Sequence, residues 1–534
     1  MADRFLIAPY SSNSGWQTDV RPWLIPEQAF ARLNNAYVFR GRVRKRFGST
    51  WTTDSGTQIN SRLRVLVGTT DPGTGNLAGF VPGVDYNVGQ MFSIGTELYT
   101  VYIQTAGAQP MLDTGATPTA TFNTANGAFN FVGAPKNIAV YWYPALPVMG
   151  LLTFENGQEI QEPTYAFDTE FAYTYNSTSS GWDRLAGEAS AGAAIWGTVS
   201  TTANSNFFWG TTWTGSNAFQ PLFFVTNFDN LDPRCMRYYD PVAAQWNVFM
   251  PSIDGGTNFL TNARIIIAYR NRLVAFNTWE GTAYNTANNY VNRARYSQVG
   301  DPTAADAWNQ AMPGKGSAID APTTEEIITV EFVKDRLIVF FERSTYELAY
   351  TGNQAYPFVW NKLNTELGAE STNSIIPFDN VCIGIGNTGI HQCNGSQVSR
   401  IDNKIPNEVF EIHDSDQGVE RVCGIRDYFV EMVYWTFPST DASATFPYPN
   451  QVLVYNYQTE TWSINDDSFT VFGYWFAPPK GAVTWDSTQV TWDSDVTWDG
   501  GNIQAQFRQV LAGNQEGYIV QIKATSQLML LHCR

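Results

Sequence analysis

The sequence is poor in charged residues and in histidine. Aspartate, glutamate, lysine and arginine make up only 15% of its 534 residues, well below the usual quarter. Its 3 histidines, His391, His413 and His532, lack the spacing of metal ligands. The hydrolase pattern GxSxG, the zinc pattern HExxH and the phosphate-binding loop are also absent. We therefore expect no catalytic site, no metal site and no cofactor, and we predict that the protein is not an enzyme.

Long hydrophobic runs and a CxxC cysteine pair are missing as well. No apolar stretch reaches the length of a membrane span, and the first residues lack the apolar core of a signal peptide. For the 5 cysteines we expect unpaired thiols, even for Cys382 and Cys393, which could lie near each other. These absences predict a protein that is made in the cytoplasm and does not span a membrane.

The net charge of −17 argues against a chain that binds DNA over its whole surface. Affinity for DNA comes from lysine and arginine that neutralise phosphates, whereas an acidic wall repels the duplex. Aromatic residues, in contrast, are abundant at 15%, and helical periodicity is almost absent. Because aromatic and β-branched residues fit pleated surfaces, we predict an all-β fold.

One hairpin pattern occurs three times. A tyrosine followed by asparagine or aspartate precedes a tryptophan that stands seven residues after the tyrosine. The three copies are Tyr175-Asn176 with Trp182, Tyr239-Asp240 with Trp246, and Tyr455-Asn456 with Trp462. The polar side chain favours a turn, and the spacing should place the tyrosine opposite the tryptophan across two antiparallel strands.

Further hairpins lie between these copies. The segments IIIAYRNRLVAF and TVEFVKDRLIVF have polar turns at Asn271-Arg272 and Asp335-Arg336, and others follow up to residue 523. Recurring hairpins are typical of a β-propeller, in which each four-stranded blade packs on its neighbours. We predict a propeller over residues 137–523, with residues 483–500 as an insertion. A multi-domain β-sandwich is the alternative fold.

The rest of the chain divides into three parts. Residues 1–60 are predicted to form an N-terminal platform segment, with one helix over Pro26–Ala36 because proline favours the first helical turn. Residues 61–136 are rich in glycine and threonine and indicate a small inserted β-barrel or β-sandwich domain. Residues 524–534 form a C-terminal tail.

A basic cluster stands out in this acidic chain. It consists of Arg40, Arg42, Arg44, Lys45 and Arg46. If the cluster is a strand, side chains alternate, so the four arginines share one face and repel one another. We therefore expect an anionic partner, which is either an acidic surface of a neighbouring subunit or the phosphates of DNA.

The segment VTWDSTQVTWDSDVTWDG, residues 483–500, repeats Val-Thr-Trp-Asp three times. Alternation places Trp485, Trp492 and Trp498 with the valines on one apolar face, which is too short to bury itself. That face packs either on the chain's own blade or on another protein, since desolvated tryptophans are enriched at interfaces. The three tryptophans and the basic cluster are our candidate interface residues.

Several short motifs, spread over most of the chain, resemble one family. The N-terminal motifs are Arg21-Pro22, Ile25-Pro26 with Ala29, Asn34-Asn35-Ala36, Gly41 and Lys45-Arg46-Phe47-Gly48. The later motifs are PVMGLLTFE, AFDTEFAYTY, NRLVAF, the segment Arg293–Trp308 and the Trp-Asp repeat. In these motifs the sequence resembles the tail nozzle proteins, also called tail hub or tail tubular proteins, of short-tailed bacteriophages.

The resemblance implies a structural virion protein of the phage tail. Nozzle proteins have a β-propeller and a platform of small β-domains, and six copies form a tube below the portal and adaptor rings. The tube retains the packaged genome and conducts it during ejection. The implied partners are a homohexamer of the chain, a head-to-tail adaptor protein, tail fibres, and double-stranded DNA that passes without tight binding.

A different function is the alternative: a propeller that binds or hydrolyses glycans, such as a tail-associated glycosidase. Glycoside hydrolysis requires paired carboxylates at a fixed separation. Such a site would show itself as a cleft lined by arginines and two carboxylates. No pair of carboxylates is distinguished by the sequence itself.

The Trp-Asp repeat gives a first test. In the variant Trp485→Ala/Trp492→Ala/Trp498→Ala, we expect ring or tail assembly to fail while the melting temperature of the isolated chain stays nearly unchanged. The reason is that each indole buried at an interface contributes about 2–3 kcal/mol. Calorimetry and native mass spectrometry measure the two effects. A large fall in melting temperature with normal assembly would show that the repeat packs on its own blade.

Overall fold

The computed structural model describes residues 14–53, 59, 147–155, 162–169, 171–176, 181–185, 207–214, 221–227, 236–243, 245–413, 419–440, 448–475 and 508–523, and the backbone of strands within 63–142. The chain divides into two compact units, Met1–Gly56 with Pro147–Arg534, and Thr57–Leu146. In the described part, helices are limited to 3-10 turns at Pro22–Leu24, Tyr284–Thr286, Glu408–Glu411 and Val419–Arg421. The prediction of an all-β fold is confirmed.

The N-terminal part of the larger unit contains five strands: β1 (Gly15–Trp16), β2 (Ala29–Phe30), β3 (Ala36–Phe39), β4 (Arg42–Lys45) and β5 (Gly48–Trp51). The smaller unit contains β6 (Leu63–Arg64), β7 (Met91–Ile94), β8 (Glu97–Ile103), β9 (Thr119–Asn123), β10 (Ala128–Val132) and β11 (Lys136–Trp142). The prediction began the propeller at residue 137, whereas β11 pairs with β8 and β6 in the smaller unit. The propeller strands start at Gly150 instead.

The remaining strands of the larger unit build seven four-stranded antiparallel sheets, each one blade. Blade 1 is β12 (Gly150–Thr153), β13 (Thr164–Phe167), β14 (Ala172–Asn176) and β15 (Gly181–Arg184). Blade 2 is β16 (Phe208–Trp213), β17 (Leu222–Asn227), β18 (Met236–Asp240) and β19 (Gln245–Val248). Blade 3 is β20 (Phe259–Tyr269), β21 (Arg272–Gly281), β22 (Asn288–Tyr296) and β23 (Ser317–Asp320).

Blade 4 is β24 (Ile327–Val333), β25 (Arg336–Phe341), β26 (Thr345–Tyr350) and β27 (Phe358–Asn364). Blade 5 is β28 (Ile376–Pro377), β29 (Cys382–Gly386), β30 (Gly389–Cys393) and β31 (Val398–Arg400). Blade 6 is β32 (Cys423–Asp427), β33 (Met432–Phe437), β34 (Gln451–Asn456) and β35 (Thr461–Asn465). Blade 7 is β36 (Val471–Trp475), β37 (Gln509–Gly513), β38 (Ile519–Lys523) and the N-terminal β5.

The seven sheets form a closed ring. The first strand of each blade contacts the first strand of the next, and β36 of blade 7 contacts β12 of blade 1. Apolar side chains are buried between neighbouring blades; for example, Ile265 and Phe276 of blade 3 pack with Ile327 and Val339 of blade 4. The predicted β-propeller is therefore confirmed, and the alternative β-sandwich is not found.

A strand from the N-terminal part of the chain completes the last blade. Strand β5 pairs antiparallel with β38, with Trp51 opposite Val520 and Gly48 opposite Lys523. The ring of Trp51 lies 4.7 Å from that of Tyr518. Residues 48–51, which the sequence analysis assigned to the platform segment, are thus part of the propeller and join its two ends.

The helix predicted over Pro26–Ala36 is wrong. Strand β2 within this range pairs in parallel with β1. Further along, the N–H of Asn35 donates to the carbonyl of Ile464 at 2.8 Å, and the N–H of Ile464 donates to the carbonyl of Leu33 at 3.0 Å. Pairing with the outer strand of blade 6 satisfies backbone groups that would otherwise lie at an open sheet edge, and this outweighs the local helix signal.

The repeated tyrosine-tryptophan hairpins are confirmed. Each is the outer hairpin of a blade, with Tyr175 opposite Trp182, Tyr239 opposite Trp246 and Tyr455 opposite Trp462. The paired rings lie 5.5, 5.5 and 4.3 Å apart. In blade 6 the predicted turn chemistry is visible, because Oδ1 of Asn456 accepts the N–H groups of Gln458 and Thr459.

The outer hairpin of blade 6 gives a stability test. Trp462 is 1% exposed and stacks on Tyr455, with Trp435 at 6.3 Å. We expect Trp462→Ala to lower the free energy of unfolding by about 3–5 kcal/mol through lost burial and a cavity. The matched control is Trp23→Ala, because Trp23 is 71% exposed and should change stability by less than about 0.5 kcal/mol. Equal denaturation midpoints of the two variants would contradict this packing.

Candidate functional site

The basic cluster forms a hairpin on the N-terminal segment. Strands β3 and β4 pair antiparallel, and Arg40 and Gly41 form the two-residue turn with φ of 49° and 73°. Positive φ at both residues is the geometry of a tight hairpin turn. The prediction that four arginines share one strand face is therefore wrong: Arg40 lies in the turn, and Arg46 follows the end of β4.

The members of this basic hairpin have different surroundings. The guanidinium groups of Arg40 and Arg44 lie 5.1 and 4.6 Å from the ring centre of Phe39. All of β4 is exposed. Within the described residues, no carboxylate forms an ion pair with Arg40, Arg42, Arg44 or Lys45. Four cations are therefore presented to solvent, with two of them fixed over an aromatic ring.

Arg46 anchors the hairpin to the propeller. Its guanidinium forms an ion pair with the carboxylate of Asp467, which follows blade 6. Burial raises the pKa of Asp467, and the hydrogen bond from Arg46 opposes that shift. Arg46 thus stabilises the attachment of the hairpin, whereas the candidate interface residues Arg42 and Lys45 have no such structural contact.

An exposed apolar pair lies on the same segment. Trp23 and Leu24, in the 3-10 turn Pro22–Leu24, are 71% and 65% exposed. The guanidinium of Arg21 lies 5.4 Å from the Trp23 ring. The sequence reasoning missed this pair, although two prolines flanking Trp-Leu-Ile indicate an extended segment that cannot bury its side chains in a helix. The candidate residues Trp485, Trp492 and Trp498 lie outside the described residues, between β36 and β37.

At one end of the propeller axis, residues that precede the first strands of five different blades close around a small cavity of about 10 Å³: Met149, Phe207, Asn373, Val422 and Thr470. In a closed ring, only the axis borders all these blades. A cavity of this size holds about one water molecule.

A buried arginine lies beside this closed end. Arg264 of blade 3 donates to Glu326 before blade 4 at 2.6 Å and to Thr372 before blade 5 at 2.8 Å. It also forms an ion pair with Glu420 before blade 6. Because the guanidinium is 5% exposed and its partners come from three further blades, it fixes the inner ends of four blades together.

A polar cleft of about 410 Å³ lies on blade 3. Its floor comes from one face of β21, β22 and β23, and its walls from the segments around residues 254 and 310. The main polar residues that line it are Asp254, Asn258, Glu280, Asn288, Arg293, Arg295, Gln310 and Asp320, with Tyr290 beside them. The sequence analysis expected a cleft lined by arginines and two carboxylates only if the protein hydrolyses glycans.

A β-bulge brings the two arginines into the cleft. Phe276 of β21 pairs with Ala294, but Thr278 pairs with Tyr290, so residues 291–293 of β22 face Asn277 alone. Strict alternation from Tyr290 would carry Ala294 to the cleft face. The bulge shifts the alternation by one residue and carries Arg293 and Arg295 there instead. A bulge of this kind has no clear signal in the sequence.

The charged groups of the cleft are paired with one another. Arg293 donates from Nε and Nη2 to Asp320 at 2.7 and 2.9 Å, and from Nη1 to Glu280 at 3.0 Å. Arg295 donates from Nε and Nη2 to Glu280 at 2.7 and 2.8 Å. The Arg293 guanidinium also lies 3.8 Å from the ring centre of Tyr290. These contacts hold the cleft side chains in one arrangement.

Two carboxyl groups of the cleft, those of Asp320 and Asp254, have lowered pKa values, which favours their ionised forms. The hydrogen bond from Arg293 lowers the pKa of Asp320. The backbone N–H of Asn258, at 2.7 Å, lowers the pKa of Asp254. A general acid for glycoside hydrolysis needs the opposite shift, which keeps a carboxyl group protonated. The arrangement therefore supports binding through hydrogen bonds better than acid catalysis.

Three cysteines and His391 are buried in blades 5 and 6. Cys382 lies directly opposite Cys393 in blade 5, and both are free and buried, as is Cys423. Burial lowers the pKa of His391 to about 4, so its imidazole is neutral near pH 7. Within the described ranges, no group of three or more His, Cys, Asp or Glu side chains could hold a metal ion. No helix of that part of the chain is long and apolar enough to cross a membrane.

No known family and no curated protein matches the sequence. Among solved structures, it is similar to the extracellular domain of a hybrid two component system from B. thetaiotaomicron, with 10% identity and a TM-score of 0.37 over 70% of this chain and 40% of that one. It is also similar to dihydro-heme d1 dehydrogenase NirN in complex with DHE, with 11% identity and a TM-score of 0.28 over 48% of this chain and 47% of that one. The chain thus spans less than half of either structure, and such likenesses carry no functional argument.

The ion pair that anchors the basic hairpin gives a pH-dependent prediction. We expect Arg46→Met to lower the free energy of unfolding by about 1–3 kcal/mol at pH 7, because the half-enclosed Asp467 carboxylate loses its partner. Without Arg46 the folded-state pKa of Asp467 rises further above its unfolded value. The penalty should therefore shrink as the pH falls toward 5 and the carboxyl group is protonated. Urea denaturation at both pH values measures this.

The control for this prediction is Arg42→Met, which should change stability by no more than about 0.5 kcal/mol at either pH. A penalty for Arg46→Met that grows on acidification would contradict the assigned ion pair.

Proposed function

We propose that the protein is a structural subunit of a bacteriophage tail nozzle, which assembles into a ring that retains packaged DNA and conducts it during ejection. The observation that supports this most is the basic hairpin. It presents Arg40, Arg42, Arg44 and Lys45 to solvent on a chain whose net charge is −17. An acidic surface of a second copy is a complementary partner for it, and complementary charge gives an interface its specificity.

The position of the hairpin suits a ring of identical subunits. Such rings need head-to-tail contacts, in which one patch meets a different patch on the next copy. The hairpin is held on the outer strand of blade 6, and the exposed Trp23 and Leu24 belong to the same N-terminal segment. A segment that exposes both a cationic hairpin and large apolar side chains has features of an interaction surface.

In a tube built from a ring of identical subunits, the DNA channel lies between the copies of the chain. The resemblance to nozzle proteins implies six copies, an adaptor above the ring and fibres around it. In this proposal the propeller is a rigid building block of the tube wall and does not itself conduct DNA.

Assembly is tested by charge reversal on the hairpin. We expect Arg42→Glu/Lys45→Glu to raise the dissociation constant of the ring by about 10–100-fold, or about 1.4–2.7 kcal/mol. Neither side chain forms a hydrogen bond or an ion pair within the described part of the chain, so the melting temperature should not change. The matched control Arg343→Glu/Lys362→Glu reverses two exposed cations of blade 4. Native mass spectrometry in the presence and absence of the adaptor measures the ring, and a monomer under all conditions would contradict the proposal.

The passage of DNA gives a second test. We expect the isolated chain to bind duplex DNA weakly, with a dissociation constant above about 1 µM at physiological salt, because tight phosphate contacts would hold the genome in the tube. Fluorescence anisotropy with a labelled duplex measures the affinity. A submicromolar, salt-sensitive affinity would show that the basic hairpin contacts DNA instead of a neighbouring subunit.

A further inference from the structure

The cleft on blade 3 has features that ring assembly does not require. Its arginines are bound by carboxylates of the same blade, although Nη1 of the buried Arg295 has no hydrogen-bond partner in the described part of the chain. Arg295 and Glu280 are 1% and 5% exposed, so this pair is part of the floor rather than a mobile surface contact. A buried ionic floor under an open cleft costs desolvation free energy, which a purely structural blade could avoid with apolar side chains.

The charge pattern argues against an ionic ligand. Two guanidinium groups face Glu280, Asp320 and Asp254, so the lining residues carry a small negative excess. A free anion would have to compete with the carboxylates that already occupy both arginines. A metal ion lacks a suitable group of ligands among the described residues. The paired charges instead suit a neutral polar molecule that is recognised by hydrogen bonds.

The hydrogen-bond donors and acceptors that remain free in the cleft match those of hydroxyl groups. Asn288 carries an amide that both donates and accepts, and Gln310 can donate from its amide nitrogen while its Oε1 accepts from Arg295 at 3.3 Å. The Asp320 carboxylate keeps lone pairs beyond its contacts with Arg293. A hydroxyl group likewise donates one hydrogen bond and accepts others. Tyr290 adds aromatic surface beside these groups. A sugar has several hydroxyl groups on a compact ring that also exposes apolar C–H groups.

We propose that this cleft binds a neutral carbohydrate. Its volume of about 410 Å³ lies within the usual range for small-ligand clefts, about 300–1,000 Å³. The arginine–carboxylate contacts fix the lining before the ligand arrives, and such preorganisation lowers the entropy cost of binding. The role that we propose for the cleft is binding without hydrolysis, and it does not depend on ring assembly.

The bulged strand β22 offers a matched pair of variants. Asn288 lines the cleft, whereas its neighbour Asn289 is equally exposed but points to the opposite face by strand alternation. The full-length chain is applied to an array of neutral, anionic and amino-group-bearing oligosaccharides, and hits are quantified by calorimetry. We expect neutral sugars to bind, Asn288→Trp to weaken binding by about 30-fold or more, and Asn289→Trp to change it by less than about 2-fold.

Tyr290→Ala serves as a second cleft variant, with thermal melting of all variants as the control for folding. We expect it to weaken binding by about 10-fold. The proposal is overturned if no neutral sugar binds, if anionic sugars bind more tightly than neutral ones, or if the two tryptophan variants behave alike. Release of new reducing ends from a bound oligosaccharide would also overturn it, because it would show hydrolysis. A result that overturns sugar binding does not affect the proposed ring assembly, because ring assembly is measured on the hairpin variants.

Discussion

The pairing of β5 with β38 is the contact on which the rest of the structure depends. A propeller buries the faces of its blades against one another by closing into a ring, and here the fourth strand of blade 7 comes from residues 48–51. The same strand follows the basic hairpin directly in sequence. Closure of the ring therefore also holds that hairpin at the rim, where Asn35 pairs with blade 6 and Arg46 with Asp467. The surface that we propose for assembly is thus fixed by the closure of the propeller.

A second constraint acts at the axis. The inner ends of four blades meet at Arg264, whose buried guanidinium would be costly without Glu326 and Glu420. This cluster holds the inner ends of these blades together. The two surfaces with proposed functions, the hairpin beside blade 6 and the polar cleft on blade 3, lie elsewhere on the propeller. These two surfaces use separate residues, so assembly and sugar binding can be tested independently.

The sequence predicted features that depend on local spacing. The three tyrosine-tryptophan hairpins were correct because turn chemistry and strand alternation act over fewer than ten residues. Features that depend on distant partners were missed: β5 joins β38, and Leu33 and Asn35 pair with Ile464 instead of forming a helix. The cleft was missed because a single bulge opposite Asn277 decides which residues of β22 face it. In the basic cluster, Gly41 after Arg40 indicates a turn, but the even spacing of the arginines suggested one continuous strand instead.

The central claim, that the N-terminal segment held by ring closure is the assembly surface, is tested most directly by hydrogen exchange of the free chain and the assembled ring. Amides of β5 and β38 should be protected in both states, because their pairing closes the propeller before assembly. Protection gained on assembly should concentrate on residues 21–24 and 36–46. Rapid exchange of β5 in the free chain, or a gain of protection confined to other blades, would contradict the account.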